Sequence, residues 1–162
     1  MAIPFFSIDI KNQEFLKLLK NVFIPINTEL LKEKFNTELK NKFSKKKVIL
    51  LPSARLGFYL TLKKYFKEND EIIFSAMSFP LYIKIANELK LKVRLVDVNP
   101  NNLNIDIKKI EKNINENTKA IVATHLFGYP CQIEEIKEIA KKNNILLIED
   151  CAQSYGSYHN DI

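Results

Sequence analysis

Between residues 48 and 148, short apolar runs alternate with amphipathic segments, and this alternation limits the possible fold more than any other feature of the sequence. Each apolar run spans four to six residues, which is typical of a strand buried on both faces of a sheet. Strands that alternate with helices favour a mostly parallel sheet with helices on both faces, so we predict an α/β fold. The predicted strands are 48–51, 71–74, 93–98, 120–124 and 145–148, and the predicted helices between them are 54–67, 81–90, 106–113 and 132–142.

Residues 1–47 differ from the rest of the chain, because they are rich in lysine and are predicted to be largely helical, with breaks at Pro4 and Pro25. We therefore predict a helical N-terminal arm over residues 1–47 and an α/β domain over residues 48–162. A lysine run closes the arm and is interpreted either as a solvated helix end or as a phosphate-binding patch. The run consists of Lys40, Lys42, Lys45, Lys46 and Lys47.

Composition excludes several classes of protein. The chain is 46% hydrophobic and 27% charged, a balance that disordered chains do not have. It contains no run of apolar residues long enough for a membrane span, and its N-terminus lacks the features of a signal peptide, so we expect a cytoplasmic protein without a membrane partner. Only two of its 25 basic residues are arginines and the lysines are scattered, so we expect no nucleic-acid partner.

Glycine and cysteine spacing argue against other common sites. Gly57, Gly128 and Gly156 stand too far apart for a dinucleotide fingerprint or a P-loop, which disfavours a nicotinamide dehydrogenase and a P-loop nucleotidase. The two cysteines lack the spacing of zinc ligands, so no metal site is predicted. Cys151 and His125 follow two predicted strands and could approach each other as a nucleophile and its base. The alternative is a buried, inert thiol.

In a parallel α/β sheet, ligands bind beyond the carboxyl ends of the strands, so the residues that follow each predicted strand are the candidates for chemistry. The segment 52–55 opens a helix, whose N-terminal N–H groups can bind a phosphate, although a serine at such a turn is in most cases only an N-cap. Phe79 precedes a proline and is either the flat wall of a site or a core aromatic. Asp150 ends an apolar strand, and a buried carboxylate requires a cationic or hydrogen-bonding partner.

Eight short motifs in a fixed order resemble the DegT/DnrJ/StrS sugar aminotransferases over about residues 48–158. The resemblance implies the type I aspartate-aminotransferase fold, with residues 48–162 forming part of its large domain, and pyridoxal 5′-phosphate as cofactor. It also implies amino transfer from an amino acid, typically glutamate, to a keto group on a nucleotide-linked sugar. The motifs are PSARLG (52–57), NDEII (69–73), SAMSF (75–79), VDVNP (96–100), NID (104–106), NTKAI (117–121), THLFGYP (124–130) and IEDCAQSYG (148–156).

The resemblance implies a role for each of five residues. The backbone of Ala54 and Arg55 would hold the cofactor phosphate, where the family usually has threonine in place of the arginine. Phe79 would stack on the pyridine ring. Asp150 would keep the ring nitrogen protonated, so that the ring acts as an electron sink, and Gln153 would form a hydrogen bond near the ring hydroxyl.

His125 is interpreted in two ways. It is either a supporting residue beside Asp150 or a packed histidine whose hydrogen bonds are satisfied.

No lysine of this sequence matches the family's Schiff-base lysine, which follows the D-x-A-Q motif by a few tens of residues. We therefore expect that lysine beyond Ile162, together with the C-terminal small domain, and we expect a truncated, split or remnant gene product that is inactive alone. The full-length parent, either an aminotransferase or a dehydratase variant, is expected to be a homodimer. The alternative is a non-catalytic interaction or regulatory protein that pairs with a full-length paralogue.

Overall fold

Residues 12–23, 27–43, 47–155 and 157 are described by a computed structural model of the chain. The chain divides into two units, Met1–Leu50 and Leu51–Ile162. The arm boundary expected at residue 47 stays a prediction. Within the described residues, no helix is both long enough and apolar enough to cross a membrane.

The described residues of the first unit are largely helical, as predicted. It contains α1 (Asn12–Phe23) and α2 (Thr28–Phe43), and the side-chain oxygen of Asn27 accepts the Leu30 N–H at the start of α2. Lys40 and Lys42 lie in the last turn of α2, where positive charge is favoured by the helix dipole. This position supports the interpretation of the lysine run as a helix end. The expected breaks at Pro4 and Pro25 lie outside the described residues, as do Lys45 and Lys46.

Helices and strands alternate through the second unit, and the ends of each predicted helix are correct to within two residues. Strands β1 to β4 form a parallel sheet in the order β2-β1-β3-β4, which confirms the predicted α/β fold. The elements are α3 (Ala54–Tyr65), β1 (Glu71–Ser75), α4 (Pro80–Glu88), β2 (Lys92–Val96), α5 (Ile107–Asn113), β3 (Thr118–Thr124), α6 (Ile133–Lys142) and β4 (Leu146–Asp150).

The two central strands, β1 and β3, carry apolar side chains on both faces, because successive residues of a strand point in opposite directions. Ile72 and Phe74 pack on one face in a core with residues of α3 and α4. Ile73 packs on the opposite face in a second core with residues of α5 and α6. Helices therefore cover both faces, and the carboxyl ends of all four strands meet at one edge of the sheet.

The prediction of a strand at 48–51 is wrong. These residues are not in a strand, and Ile49 has 77% of its surface exposed. Leu51 instead lies against the start of α3, where a Cβ on Gly57 would be 3.2 Å from the Leu51 Cδ1. An apolar run predicts burial, but a strand also needs a neighbouring strand that forms hydrogen bonds with its backbone. All strand pairings in the described part of the chain lie within β1–β4.

Glu71 begins β1 at the amino edge of the sheet and is 5% exposed. Its Oε2 accepts hydrogen bonds from Nε and Nη2 of Arg94, at 3.1 and 2.8 Å. Its Oε1 accepts from Asn115 Nδ2 and Thr118 Oγ1, at 2.7 and 2.9 Å. Burial raises the pKa of Glu71, but these hydrogen bonds outweigh burial and hold the pKa below 4.5. The carboxylate thus ties β1 to β2 and β3.

Candidate functional site

A cavity of about 410 Å³ lies at the carboxyl edge of the sheet. All five residues that the resemblance implies for cofactor binding line it, because they follow strands that end at this edge or begin the helix beside it. The lining consists of Ala54, Arg55, Met77, Ser78, Phe79, Pro80, Tyr82, Thr124, Leu126, Asp150, Ala152 and Gln153.

The start of α3 contributes the positively polarised part of the cavity. Ser53 is the N-cap, and its Oγ accepts the Leu56 N–H at 3.2 Å. Ala54 and Arg55 occupy the first turn, so their N–H groups have no acceptor within the helix. Arg55 forms no salt bridge with any residue that the structure describes, which leaves a guanidinium beside a helix N-terminus. Ser53 is therefore an N-cap, and the helix that it caps also lines the cavity.

Phe79 is a wall residue rather than a core aromatic, since half of its surface is exposed (50%). It is the N-cap residue of α4, and Pro80 occupies the first turn. The Phe79 ring contacts Tyr82 edge-on, with 5.6 Å between the ring centroids and an interplanar angle of 82°. One flat, apolar ring is thus presented at the cavity.

Asp150, the last residue of β4, supplies the negative charge of the cavity. Its Oδ1 accepts the Ala152 N–H at 3.1 Å, and the described residues offer its carboxylate no salt bridge. Burial raises the pKa of the Tyr82 hydroxyl above 10.0, and the charge of Asp150 raises it further. The carboxylate therefore favours a cationic group on any ligand that reaches it.

Gln153 lies in the turn after β4, and its Oε1 accepts the Phe127 N–H at 3.1 Å. This bond joins the turn after β4 to the loop after β3. It also fixes which end of the Gln153 amide accepts a hydrogen bond.

His125 lies beside Asp150 but is not part of the cavity lining. Its backbone N–H donates to the Asp150 carbonyl at 3.1 Å, and its imidazole is buried. Nδ1 accepts the Cys131 N–H at 2.9 Å, whereas Nε2 is 3.6 Å from Glu149 Oε2. The shorter contact requires a neutral imidazole with its proton on Nε2. The histidine is thus both a neighbour of Asp150 and a packed, satisfied side chain.

The interpretation of Cys151 as a buried thiol is wrong, because Cys151 is exposed and Cys131 is the buried cysteine. Cys151 directly follows β4, which is an edge strand of the described sheet, so one side of β4 is uncovered.

Ligand atoms of His125, Glu149 and Cys151 lie within 4.8 Å of one another. A metal would need the Nε2 lone pair of His125, and the Cys131 N–H at Nδ1 keeps a proton on Nε2. The hydrogen bond from Cys131 therefore opposes metal binding at His125 Nε2, and the expectation of no metal site stays a prediction.

Two lining residues, Ser78 and Thr124, were missed by the sequence reasoning. The Oγ of Ser78 and the Oγ1 of Thr124 are buried and have no hydrogen-bond partner among the described residues. Both stand inside the motifs SAMSF and THLFGYP, Ser78 just beyond the end of β1 and Thr124 as the last residue of β3, so their positions at the carboxyl ends of strands were the available signal.

Comparison with known proteins identifies the relatives of the chain. The model of the DegT/DnrJ/EryC1/StrS aminotransferase family matches residues 11–161. The dTDP-3-amino-3,6-dideoxy-alpha-D-galactopyranose transaminase of Aneurinibacillus thermoaerophilus is 41% identical over 91 residues, which are 56% of this chain and 25% of the transaminase. The GDP-4-keto-6-deoxy-D-mannose 3-dehydratase of Escherichia coli O55:H7 is 29% identical over 136 residues, which are 80% of this chain and 35% of the dehydratase.

A solved structure supports the same relationship. The Escherichia coli GDP-4-keto-6-deoxy-D-mannose-3-dehydratase with bound hydrated PLP has a TM-score of 0.83 and 25% sequence identity, and the match covers 99% of this chain and 43% of the dehydratase. The chain therefore spans less than half the length of these relatives, from 25% to 43%.

Proposed function

Because the chain belongs to the DegT/DnrJ/EryC1/StrS aminotransferase family, we propose that its cavity binds pyridoxal 5′-phosphate and the amine form, pyridoxamine 5′-phosphate. We propose further that the whole protein transfers an amino group from an amino acid, typically glutamate, to a keto group on a nucleotide-linked sugar. The transaminase relative supports this reaction. The observation that carries the proposal is one cavity that brings together a helix N-terminus, a flat ring, an amide and a carboxylate that forms no salt bridge with any described residue.

The chemistry of this lining fits the cofactor. The phosphate is an anion, and the N–H groups of Ala54 and Arg55 with the Arg55 guanidinium form an anion site. Phe79 offers an apolar surface of the right shape for a planar ring. When bound, the cofactor supplies the amino-carrying carbon and an electron-accepting ring.

Asp150 has the role of holding a proton on the ring nitrogen. The Ala152 N–H fixes the orientation of its carboxylate through Oδ1. Two opposite charges about 4 Å apart attract by roughly 4 kcal/mol at an effective dielectric constant of about 20. This attraction raises the pKa of the ring nitrogen, and the absence of a competing salt bridge among the described residues leaves the carboxylate available.

No lysine lines the cavity in the part of the chain that the structure describes. We therefore propose that these residues bind the cofactor without a covalent bond and that this chain alone does not turn over substrate. The homodimer, the cytoplasmic location and the pairing with a paralogue stay predictions.

A second candidate is dehydration of a nucleotide-linked keto sugar, since the matching dehydratases cover 80% and 99% of this chain. Both candidates require the same cofactor site. Analysis of the products from the whole protein separates them, because amination adds a nitrogen to the sugar and dehydration removes a hydroxyl.

Calorimetric titration of the chain with pyridoxamine 5′-phosphate tests the proposed binding site. We expect binding by the unmodified chain and an affinity at least tenfold weaker for Asp150→Asn. Asp97→Asn is the matched control, because its side chain is 70% exposed and lies outside the cavity, and its affinity should be unchanged. Absence of binding by the unmodified chain, or equal binding by Asp150→Asn, would contradict the proposal.

A further inference from the structure

We infer that Asn104 is a positioning residue for the cofactor cavity, because it fixes the loop 125–131. In this loop the Phe127 N–H donates to Gln153 Oε1. The Gln153 Nε2 is then left as the donor to the ligand. The inference rests on the proposed cofactor binding. It assigns a role to a residue that does not itself line the cavity.

Asn104 follows β2 and is 2% exposed. Its Nδ2 donates to the carbonyl oxygens of Tyr129 and Pro130, at 3.1 and 3.0 Å, and its Oδ1 lies 3.5 Å from the Leu126 nitrogen. One side chain thus contacts the loop at both ends. A buried amide that uses both of its protons on backbone carbonyls allows the loop little freedom.

The Asn104 backbone is itself held in place by its own turn. The Asn104 N–H donates to Asn102 Oδ1 at 3.1 Å, and the Asn104 carbonyl accepts the Asn99 N–H at 2.8 Å. The loop is therefore anchored to a separately ordered turn. Asn104 therefore supports the loop from outside it.

The loop that Asn104 holds contains a strained residue. Phe127 has a φ of +53°, which is unfavourable for a bulky side chain, and Gly128 follows with a φ of +83°. Such a conformation persists only when its surroundings determine it. Here the strain coincides with the hydrogen bond from the Phe127 N–H to Gln153 Oε1.

The hydrogen bond from the Phe127 N–H determines which atom of the Gln153 amide faces a ligand. A glutamine amide has one acceptor atom, with two lone pairs, and one donor atom, and the acceptor already accepts one hydrogen bond from the Phe127 N–H. Nε2 remains as the donor of a side chain that lines the cavity. The site is therefore set for a ligand oxygen that accepts a hydrogen bond, such as the ring oxygen of the cofactor.

The test compares two ligands, pyridoxamine 5′-phosphate and its analogue without the ring hydroxyl, by calorimetric titration of the full chain. We expect Asn104→Ala to weaken binding of the first ligand about tenfold and to change the affinity for the analogue less than twofold. In a chain that already carries Gln153→Ala, Asn104→Ala should cause no further loss. Asn143→Ala is the matched control, because its Nδ2 also donates to a backbone carbonyl, that of Ile139, and it should leave both affinities unchanged.

The possible results separate this inference from the proposed function. Equal loss for both ligands, or a full additional loss in the Gln153→Ala chain, means that Asn104 acts only on stability and overturns the inference alone. No binding of pyridoxamine 5′-phosphate by the unmodified chain overturns the proposed function and this inference together. If Asn104→Ala does not fold, Asn104→Ser keeps one donor, and the inference requires it to show a smaller loss with the same preference between the ligands.

Discussion

The Glu71 carboxylate accepts two hydrogen bonds from the Arg94 guanidinium at the amino edge of the sheet, whereas the candidate cofactor cavity lies at the carboxyl edge. The Glu71 side chain is 6% exposed and that of Arg94 is 45% exposed, so the pair is partly shielded from water. The two edges therefore have separate roles. Substitutions at Glu71 should change stability, and substitutions in the cavity should change ligand affinity.

Glu71→Gln is expected to lower the free energy of unfolding at pH 7 by about 2 kcal/mol. The neutral amide is isosteric but loses the charge-assisted hydrogen bonds from Arg94, each of which is worth about 1.5–3 kcal/mol when the acceptor is charged. Urea denaturation followed by circular dichroism measures the change. A difference below about 0.5 kcal/mol, the size typical of surface substitutions, would contradict this expectation.

Acid should remove the contribution of Glu71. Because its pKa in the folded chain is lowered from 4.5, its stabilising effect is fully present above 4.5 and is lost as the pH falls through the folded value. The difference in unfolding free energy between the unmodified chain and Glu71→Gln should therefore be constant near neutral pH and shrink below about pH 4.5. Denaturation curves from pH 7 to pH 3 measure it, and a difference independent of pH would be incompatible with the lowered pKa.

Thr124→Val is expected to leave the stability of the chain unchanged or to raise it by up to about 1 kcal/mol. The Thr124 Oγ1 is buried and has no partner among the residues that the structure describes, and valine has the same shape without the cost of burying a hydroxyl. Thr118→Val is the matched control: Thr118 is equally buried, but its Oγ1 donates to Glu71. That variant should lose about 1–2 kcal/mol. Equal losses in the two variants would show that Thr124 has a partner in solution.

Arg55→Ala is expected to weaken pyridoxamine 5′-phosphate binding about tenfold, or roughly 1.4 kcal/mol, because the guanidinium lies beside the helix start that we assign to the phosphate. Binding of pyridoxamine, which has no phosphate, should change little.

The control for Arg55→Ala is Lys141→Ala, which removes a positive charge in the last turn of α6, outside the cavity lining. Titration calorimetry with both ligands gives the comparison. A loss for pyridoxamine as large as that for the phosphate ester would place Arg55 at another part of the ligand.

Periodicity predicted the four parallel strands and the helices between them, and the family resemblance indicated the five residues that line the cavity. The run 48–51 shows the limit of periodicity, since the same apolar pattern occurs in an exposed segment without a strand partner. The exposure of Cys151 was missed for a related reason, because only the strand order shows that β4 is an edge strand.

The contacts that orient the site were also beyond prediction. Asn104 reaches Tyr129 over 25 residues, and Phe127 reaches Gln153 over 26 residues. Neither pair belongs to a periodic pattern, because both join irregular loops. A sequence can indicate which residues gather at a sheet edge, but the direction of a single amide depends on the folded loop.

Because Leu51 lies close to Gly57, the first turns of α3 have little room for a side chain at position 57. An added Cβ at position 57 would force Leu51 to give way by a few tenths of an ångström. Gly57 also donates its N–H to the Ser53 carbonyl, so the same residue belongs to the turn that carries Ala54 and Arg55. Any side chain at position 57 must therefore move either Leu51 or the helix start, and in the second case one methyl group would shift the wall of the cavity without touching the ligand.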